Sequence, residues 1–571
     1  MFIPTTLEEV VRKGWNKLDI ILVSGDTYID SAFNGSAIIG HWLIENGFRV
    51  GIICQPELTS SDDIKRLGEP ELFWSVSSGC VDSMVANYTS TLKFRKDDDF
   101  TPGGRNNKRP DRACIAYTNL IKRFCKGKPI VLGGIEASLR RIVHFDFWSN
   151  SLRRSILFDA KADIITYGMA EISNLLLAQY MKSGKNWRSI KGICYISSNK
   201  PNEYIEIPSY EDCIKSKDSF IKAFKIFYQN TDPITAKGLV QKHGSRYLVH
   251  NQPAEVIKTE MFDHIYEMDF EDAVHPYYLK QGPVRSMETI KNSVTTTRGC
   301  YGECNFCAIS LMQGRTVVSR SENSIIREAE RIASRKKFNG IINDVGGPTA
   351  NTYGFECAKK LVSGSCVNKR CLYPNPCKNL PIDHSKYMAL LDKMRHIPKV
   401  EKIFIASGLR YDLIVADKRY GKNFLYNVCK YHTSGQLKIA PEHVSKSVLD
   451  LMGKPGVDVL LSFKSMFDTI NNELNKDQFL TYYLIAAHPG CHEYHMRELS
   501  SFCKNYLKIS PEQIQIFTPT PSTISTMMYY THRDWANTNN IKVEYLKHMR
   551  QKQKDIILDS GKGSKNDLRR H

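Results

Sequence analysis

Val294-Thr-Thr-Thr-Arg-Gly-Cys300-Tyr-Gly-Glu-Cys304-Asn-Phe-Cys307-Ala-Ile309 decides how this chain is read. The β-branched run Val294 to Thr297 predicts a strand that delivers three closely spaced cysteines. Gly299 and Gly302 let the backbone turn tightly enough for three thiols to converge. Three thiols in a loop make a poor hydrophobic core and a good soft-metal site. An odd, close-spaced trio cannot pair off internally as disulfides. Structural zinc asks for four ligands, and no cysteine or histidine nearby completes the set. A cubane iron–sulfur cluster on three cysteines leaves one iron open for a substrate or cofactor.

The surrounding chain repeats one unit. Strand-like runs recur at 294–297, 341–345, 403–407, 436–440, 482–487 and 514–517, with helical patterns between them. In Glu322 to Lys336, Ile325, Ile326, Ala329, Ile332 and Ala333 fall at helical spacing, while Arg327, Glu328, Glu330 and Arg331 take the other face. Alternating strands and helices predict an α/β fold, and six repeats predict a partial (β/α)6 TIM-type barrel. Such a barrel carries its chemistry just after its strands. There the sequence places the cysteines, then Asp344-Val-Gly346-Gly347-Pro348-Thr349, Ser407-Gly-Leu-Arg410, Ala440-Pro-Glu442-His443, His488-Pro-Gly490 and Thr518-Pro-Thr-Pro-Ser522.

Upstream, Asp19 to Cys54 reads as one βαβ unit, its helix from Ser36 to Glu45 closed by Asn46-Gly47. Apolar runs at 129–132 and 162–166 run into glycine turns, so the N-terminal part is expected to be Rossmann-like. No GxGxxG follows the first strand, so a dinucleotide is not indicated. The charged stretch Arg95 to Asp111 reads as a mobile surface loop. Arg140 to Arg154 reads as a helix on a sheet with its arginines outside, in preference to an anion-binding surface. The expected division is 1–285 for the Rossmann-like domain, 290–535 for the barrel and 536–571 for a basic tail. That tail begins helically and is expected to be disordered over its last ten residues.

Composition sets the outer bounds. The chain has 571 residues, 42% hydrophobic and 24% charged, as in soluble globular proteins with two or three domains. No secretory signal and no run of about 18 apolar residues stands out, so a cytoplasmic protein with no membrane partner is expected. The net charge of +19 suits three readings: a nucleic-acid substrate, an acidic electron donor such as flavodoxin or ferredoxin, or a solvated lysine-rich surface. Sixteen cysteines in a reducing compartment point to thiols and metal sites. Cys357, Cys366, Cys371 and Cys377 lie in an insertion at 355–378, and suit an auxiliary iron–sulfur cluster, a zinc, or four reduced thiols in an irregular loop.

The CxxxCxxC spacing, with Phe306 before the third cysteine, resembles the signature of radical S-adenosylmethionine (SAM) enzymes. Gly133-Gly-Ile-Glu-Ala-Ser-Leu-Arg-Arg141, Arg298 to Cys307, Val345 to Asn351, Ile405 to Leu413, Leu437 to His443 and Phe517 to Ser522 resemble the YgiQ-type family within that superfamily, over about residues 5–535. The resemblance implies a [4Fe–4S] cluster on Cys300, Cys304 and Cys307. Its open iron would hold SAM, whose reductive cleavage gives a 5′-deoxyadenosyl radical that attacks an unassigned substrate. It also implies that Gly346 and Gly347 offer backbone groups to the methionine amine. Ser407 and Arg410 become candidates for the ribose and carboxylate, Glu442 for the ribose, and the backbone near Ala487 for adenine. Pro348 stands where the superfamily commonly has a glutamate, which leaves a side-chain contact there unsupported. The N-terminal part resembles cobalamin-binding domains in outline, but Gly25 to Ser31 lacks the Asp-x-His-x-x-Gly that supplies a histidine to cobalt, so the resemblance leaves open only cobalamin bound without that ligand. The other readings are an RNA-modifying enzyme of this type and a non-catalytic iron–sulfur redox protein.

Overall fold

The computed structural model describes residues 1–559. The chain divides into two compact units. The first is Met1–Ile257 with Met261–Lys291 and Leu311–Gln313, and the second is Lys258–Glu260, Asn292–Ser310 and the chain from Gly314 onward.

The first unit is built on short apolar runs that are buried on both faces, as parallel strands covered by helices must be. Its strands are β1 (Ile20–Ser24), β2 (Val50–Cys54), β3 (Phe73–Ser77), β4 (Ile130–Gly133), β5 (Ile164–Thr166), β6 (Ile193–Ser197), β7 (Ile205–Ile207), β8 (Leu239–His243) and β9 (Arg246–His250). They form one sheet in the order β7-β8-β9-β6-β5-β4-β3-β1-β2. From β2 to β5 the strands are parallel, and β6, β9 and β8 add an antiparallel extension. The parallel part therefore runs 2-1-3-4-5, and its order reverses between β1 and β3. Helix α1 (Gly35–Glu45) starts on an Asn34 cap and is followed by Gly47 at φ 83°, as expected for the first βαβ unit.

Two expectations for this unit are overturned. The stretch Arg95 to Asp111 is not a loose surface loop, because it packs over the ends of β1 and β3. Arg109 is fully buried, with ion pairs to Asp26 at 2.7 Å and Asp98 at 3.1 Å, and it donates to the Ser78 carbonyl at 2.5 Å. Arg109 reads as solvated in sequence because one of its partners, Asp26, lies far away along the chain, while most other charges of the stretch are exposed. Likewise, the helix Gly134–Leu139 stops before Arg140, and His144–Asp146 pairs with Ser151–Arg153 as a small hairpin. Arg140 and Arg141 point inward. Arg140 pairs with Asp82, and Arg141 donates to His250 at 2.9 Å while lying over the rings of Tyr167 and Phe227.

The second unit carries the six expected strands in chain order. They are β10 (Ser293–Thr295), β11 in two pieces (Ile341–Ile342 and Asp344–Gly346), β12 (Lys402–Ile403), β13 (Gln436–Glu442), β14 (Phe479–Ala486) and β15 (Gln515–Ile516). Each is parallel to the next. β10 pairs with β11, β11 with β12, β13 with β14 and β14 with β15, while Leu409 bridges to Ile439 between β12 and β13. This is an open, partial barrel of βα repeats. Helix α2 (Glu322–Ala333) is capped by Ser321 and buries Ile325, Ala329, Ile332 and Ala333, the face its spacing predicts. Its two fully buried isoleucines, Ile325 and Ile332, each contribute roughly 1.5–3 kcal/mol by burial. After the barrel, helix α3 (Lys547–Asp559) packs with Arg550, Gln553 and Ile557 buried. The disorder expected of the last ten residues falls outside the described residues.

Removing one partner of a buried ion pair strands the other charge. Arg109→Met is therefore expected to lower stability by about 3–5 kcal/mol, read as a shift of the urea midpoint of the full-length protein. A loss below about 1 kcal/mol would match an exposed pair instead.

Candidate metal centre

The cysteine loop is clamped at both ends. Thr297–Arg298 pairs antiparallel with Val318–Ser319, and the Thr296 N–H donates to the Gly346 carbonyl at 2.6 Å. Gly299 has φ 90°, and a Cβ there would lie 2.2 Å from the Thr316 carbonyl, so this turn requires glycine. Gly302 serves another purpose. Its φ is not in the left-handed region, but a Cβ there would lie 2.2 Å from Nη1 of Arg410. The missing side chain is the space the arginine occupies.

Three groups converge on the thiols. The Gly302 N–H donates to Cys300 Sγ at 3.3 Å, Thr349 Oγ1 lies 3.6 Å from the same sulfur, and Arg410 Nη1 donates to Cys304 Sγ at 3.7 Å. Cys300 is buried, and Cys304 and Cys307 are half-buried. Burial pushes the Cys307 thiol up to about 12, with the neighbouring cysteines adding to the shift. A sulfur that holds its proton so firmly becomes a thiolate when a metal takes the proton's place. Among the described residues no group of three or more His, Cys, Asp or Glu side chains is gathered as if around a single ion. A cubane spreads its thiolates wider than one ion does. The soft donors, the N–H and the nearby cation all fit such a cluster, and they would lower the cost of its anionic ligands.

Beyond the cysteines, the strand ends form a rim of paired charges. Arg410 is held by Asp412 through Nε at 3.0 Å and Nη2 at 2.5 Å, which leaves its Nη1 edge on the cysteine loop. Ser407 donates its hydroxyl to Asp344, whose other oxygen accepts the N–H groups of Ala406 and Ser407 at 2.8 and 3.0 Å. A Cβ on Gly347 would lie 2.4 Å from Thr297 Oγ1, and one on Gly346 would lie 3.1 Å from Ser407 Oγ. The double glycine is thus fixed by close packing at the rim. Glu442 sits at the end of β13 with φ 69°, and burial raises its carboxyl above the usual range although Lys454 lies 3.9 Å away. The Ala487 N–H, expected near adenine, is taken by Gln553 of α3 at 3.0 Å.

Asn305, which the sequence reading passed over, holds the loop from four directions. Its N–H and Nδ2 donate to Met452 and Leu451 carbonyls, both at 2.8 Å. Its carbonyl accepts from the Ser525 N–H at 2.8 Å, and its Oδ1 accepts from Arg370 at 2.6 Å. His488 supports the same region, accepting from the Ser525 hydroxyl at 2.7 Å and donating Nδ1–H to the Pro489 carbonyl at 2.9 Å. A buried asparagine between two cysteines was the one available signal. In the insertion, Cys357, Cys371 and Cys377 pack on a small core that includes Tyr301 and Phe355, while Cys366 is exposed.

The family described as Radical SAM N-terminal matches residues 2–293. A "UPF0313 protein" of Fusobacterium nucleatum is 56% identical over 566 residues, covering 99% of this chain and 100% of that one. The chain belongs to the UPF0313 family. Another member of the family, from Thermotoga maritima, is 45% identical and covers 99% of both chains. Among solved structures, the radical SAM methyltransferase TsrM from Kitasatospora setae aligns at 12% identity and TM-score 0.48, over 88% of this chain and 74% of that one. The cobalamin-dependent SAM radical enzyme OxsB aligns at 12% and 0.49, over 91% and 56%. The chain is a radical SAM enzyme. Among the described residues no helix is long and apolar enough to cross a membrane.

Three buried histidines of the second unit, His443 and His488 after strands and His432 before β13, are expected to make it acid-sensitive. Burial pulls His443 and His488 down to about 3 and His432 to about 4, so the folded protein keeps them neutral. Unfolded, they take up protons near the ordinary value of 6.5. The stability they confer is whole above that value and is lost as the pH falls toward 3. The urea midpoint should fall steadily from pH 7 to pH 4, and His488→Gln should flatten that slope. An unchanged slope in the variant would show that His488 carries no such term.

Proposed function

We propose that Cys300, Cys304 and Cys307 hold a [4Fe–4S] cluster and that the enzyme binds SAM beside it, cleaving it reductively to a 5′-deoxyadenosyl radical. The observation that carries this reading is the cysteine loop at the end of β10, with an arginine and an N–H already turned onto its sulfurs. When bound, the cluster supplies the electron that breaks the sulfonium bond to C5′.

The chain's own residues bind and orient. Arg410, its charge fixed by Asp412, stands where a carboxylate can meet it next to the cysteine loop. The Gly346–Gly347 backbone offers polar groups to the methionine amine. Ser407, whose hydroxyl donates a hydrogen bond to Asp344, presents oxygen lone pairs that can accept from a ribose hydroxyl. Glu442 is the second ribose candidate at the same strand ends.

Cobalamin has no part in this reading. A doubly wound sheet takes its ligand where the strand order reverses, and here that crevice is filled. A Cβ on Gly25, just after β1, would lie 2.2 Å from the Ser78 carbonyl, and Arg109, Asp98, Thr101 and Gln55 pack over the same turn. The protein reconstituted with hydroxocobalamin should leave a desalting column without the corrin absorbance. Retention at one per chain would overturn the assignment.

After anaerobic reconstitution with iron and sulfide, SAM plus a strong reductant should yield 5′-deoxyadenosine. The Cys300→Ala/Cys304→Ala/Cys307→Ala variant should yield none. Arg410→Met should keep its iron but bind SAM roughly 10- to 100-fold more weakly, the loss of a charge-assisted bond. A cluster whose spectrum is indifferent to SAM would favour the redox-only reading.

A further inference from the structure

We propose that the outer surface of the segment 355–378, Lys378 included, is the docking surface for an acidic protein that donates single electrons. This inference rests on the radical SAM reading above and names where its electron enters.

The surface is unusual in three respects. Leu361, Val362 and Val367 are 57%, 80% and 59% exposed, and Val362 is the most exposed large apolar side chain among the described residues. Such side chains clustered within seven residues mark a contact site more often than chance exposure. Lys359, Lys369 and Lys378 are exposed around them. The segment's one carboxylate, Glu356, is turned inward and paired with Lys360 at 3.0 Å. An apolar centre inside an uncompensated basic rim complements a partner with an acidic rim.

The same segment is tied directly to the cysteine loop. Arg370 reaches Asn305, the neighbour of Cys304, at 2.6 Å. Arg315 donates to the Cys366 carbonyl at 3.0 Å and pairs with Glu303, the other neighbour of Cys304. Tyr301, beside Cys300, donates its hydroxyl to the Phe355 carbonyl and stacks on that ring at 5.5 Å. A partner seated here is one side chain away from the residues that flank the thiols. That proximity serves electron transfer and has no use for a nucleic-acid backbone, which would gain nothing from the three apolar side chains. The step balances simply. A reduced flavin or iron–sulfur protein loses one electron, the cluster gains it, and no bond in the donor breaks.

Stopped-flow reduction of the reconstituted holoenzyme tests this, with reduced flavodoxin and dithionite as the two reductants. Lys359→Glu/Lys369→Glu/Lys378→Glu and, separately, Val362→Asp should leave the dithionite rate unchanged. With flavodoxin at low salt, each should be slower by about tenfold. The wild-type flavodoxin rate should fall steeply with ionic strength, and that of the charge-reversed variant should not. Flavodoxin rates equal to wild type in both variants would overturn the surface while leaving the cluster chemistry standing. Wild-type flavodoxin rates alongside lost binding of a 20-mer RNA or of anionic vesicles would assign the surface to that partner and overturn the donor. A chain that builds no cluster would overturn the function reading and this inference together.

Discussion

The geometry of the cysteine loop, the candidate metal centre, depends on the anchoring of Asn305. Three thiols converge on one object only if the loop between them cannot relax, and a ten-residue loop has large conformational entropy to lose. Four hydrogen bonds to a single buried residue offset part of that cost, each worth about 0.5–1.5 kcal/mol net. Their partners come from three places: Leu451 and Met452 at the end of the helix Lys446–Met452, Ser525 near the start of the helix Ile524–Thr531, and the insertion through Arg370. The loop is therefore held by the strand ends as a group, and its geometry reports on the integrity of the barrel.

The charges at the rim follow the same logic of mutual constraint. Arg410 is half-buried and Asp412 grips it on two sides, which favours its charged form. The grip also aims it. With Nε and Nη2 engaged, the Nη1 edge is the part left facing Cys304. Glu442 is the opposite case, a carboxylate whose burial outweighs the pull of Lys454. One rim thus carries a cation held ready and an acid held back.

Much of this was legible in the sequence, and the limits have physical causes. The six strands could be read because each is a short apolar run separated by a helical pattern, and local periodicity is a local signal. The cysteine spacing and the Gly346–Gly347 pair could be read for the same reason. Phe73–Ser77 was missed because Ser75 and Ser77 break the apolar run of a five-residue strand. The stretch 95–111 was misjudged because burial of Arg109 is decided by Asp26, some eighty positions earlier. Arg140 and Arg141 failed the same way: a buried arginine looks like a solvated one until its carboxylate or aromatic partners are placed. Gly302 was credited with a turn, whereas its role is the space it leaves for a side chain a hundred residues away. Arg410 and Asp412, two apart at a strand end, could have been paired from sequence.

The two α/β units apply one rule to opposite ends. In both, the chain after each parallel strand carries the polar residues, because the strand ends are where backbone and helix termini leave room for them. In the first unit that room is used up. Gly25 and Gly79 let two strand-end turns close on each other, and a clamp of Arg109 between two aspartates seals them. In the second unit the glycines act differently: Gly347 packs against Thr297, and Gly302 admits a guanidinium beside the thiols. Whether a strand end becomes a lid or a site is decided here by what a missing Cβ lets in, a neighbouring backbone in one case and a charged side chain in the other.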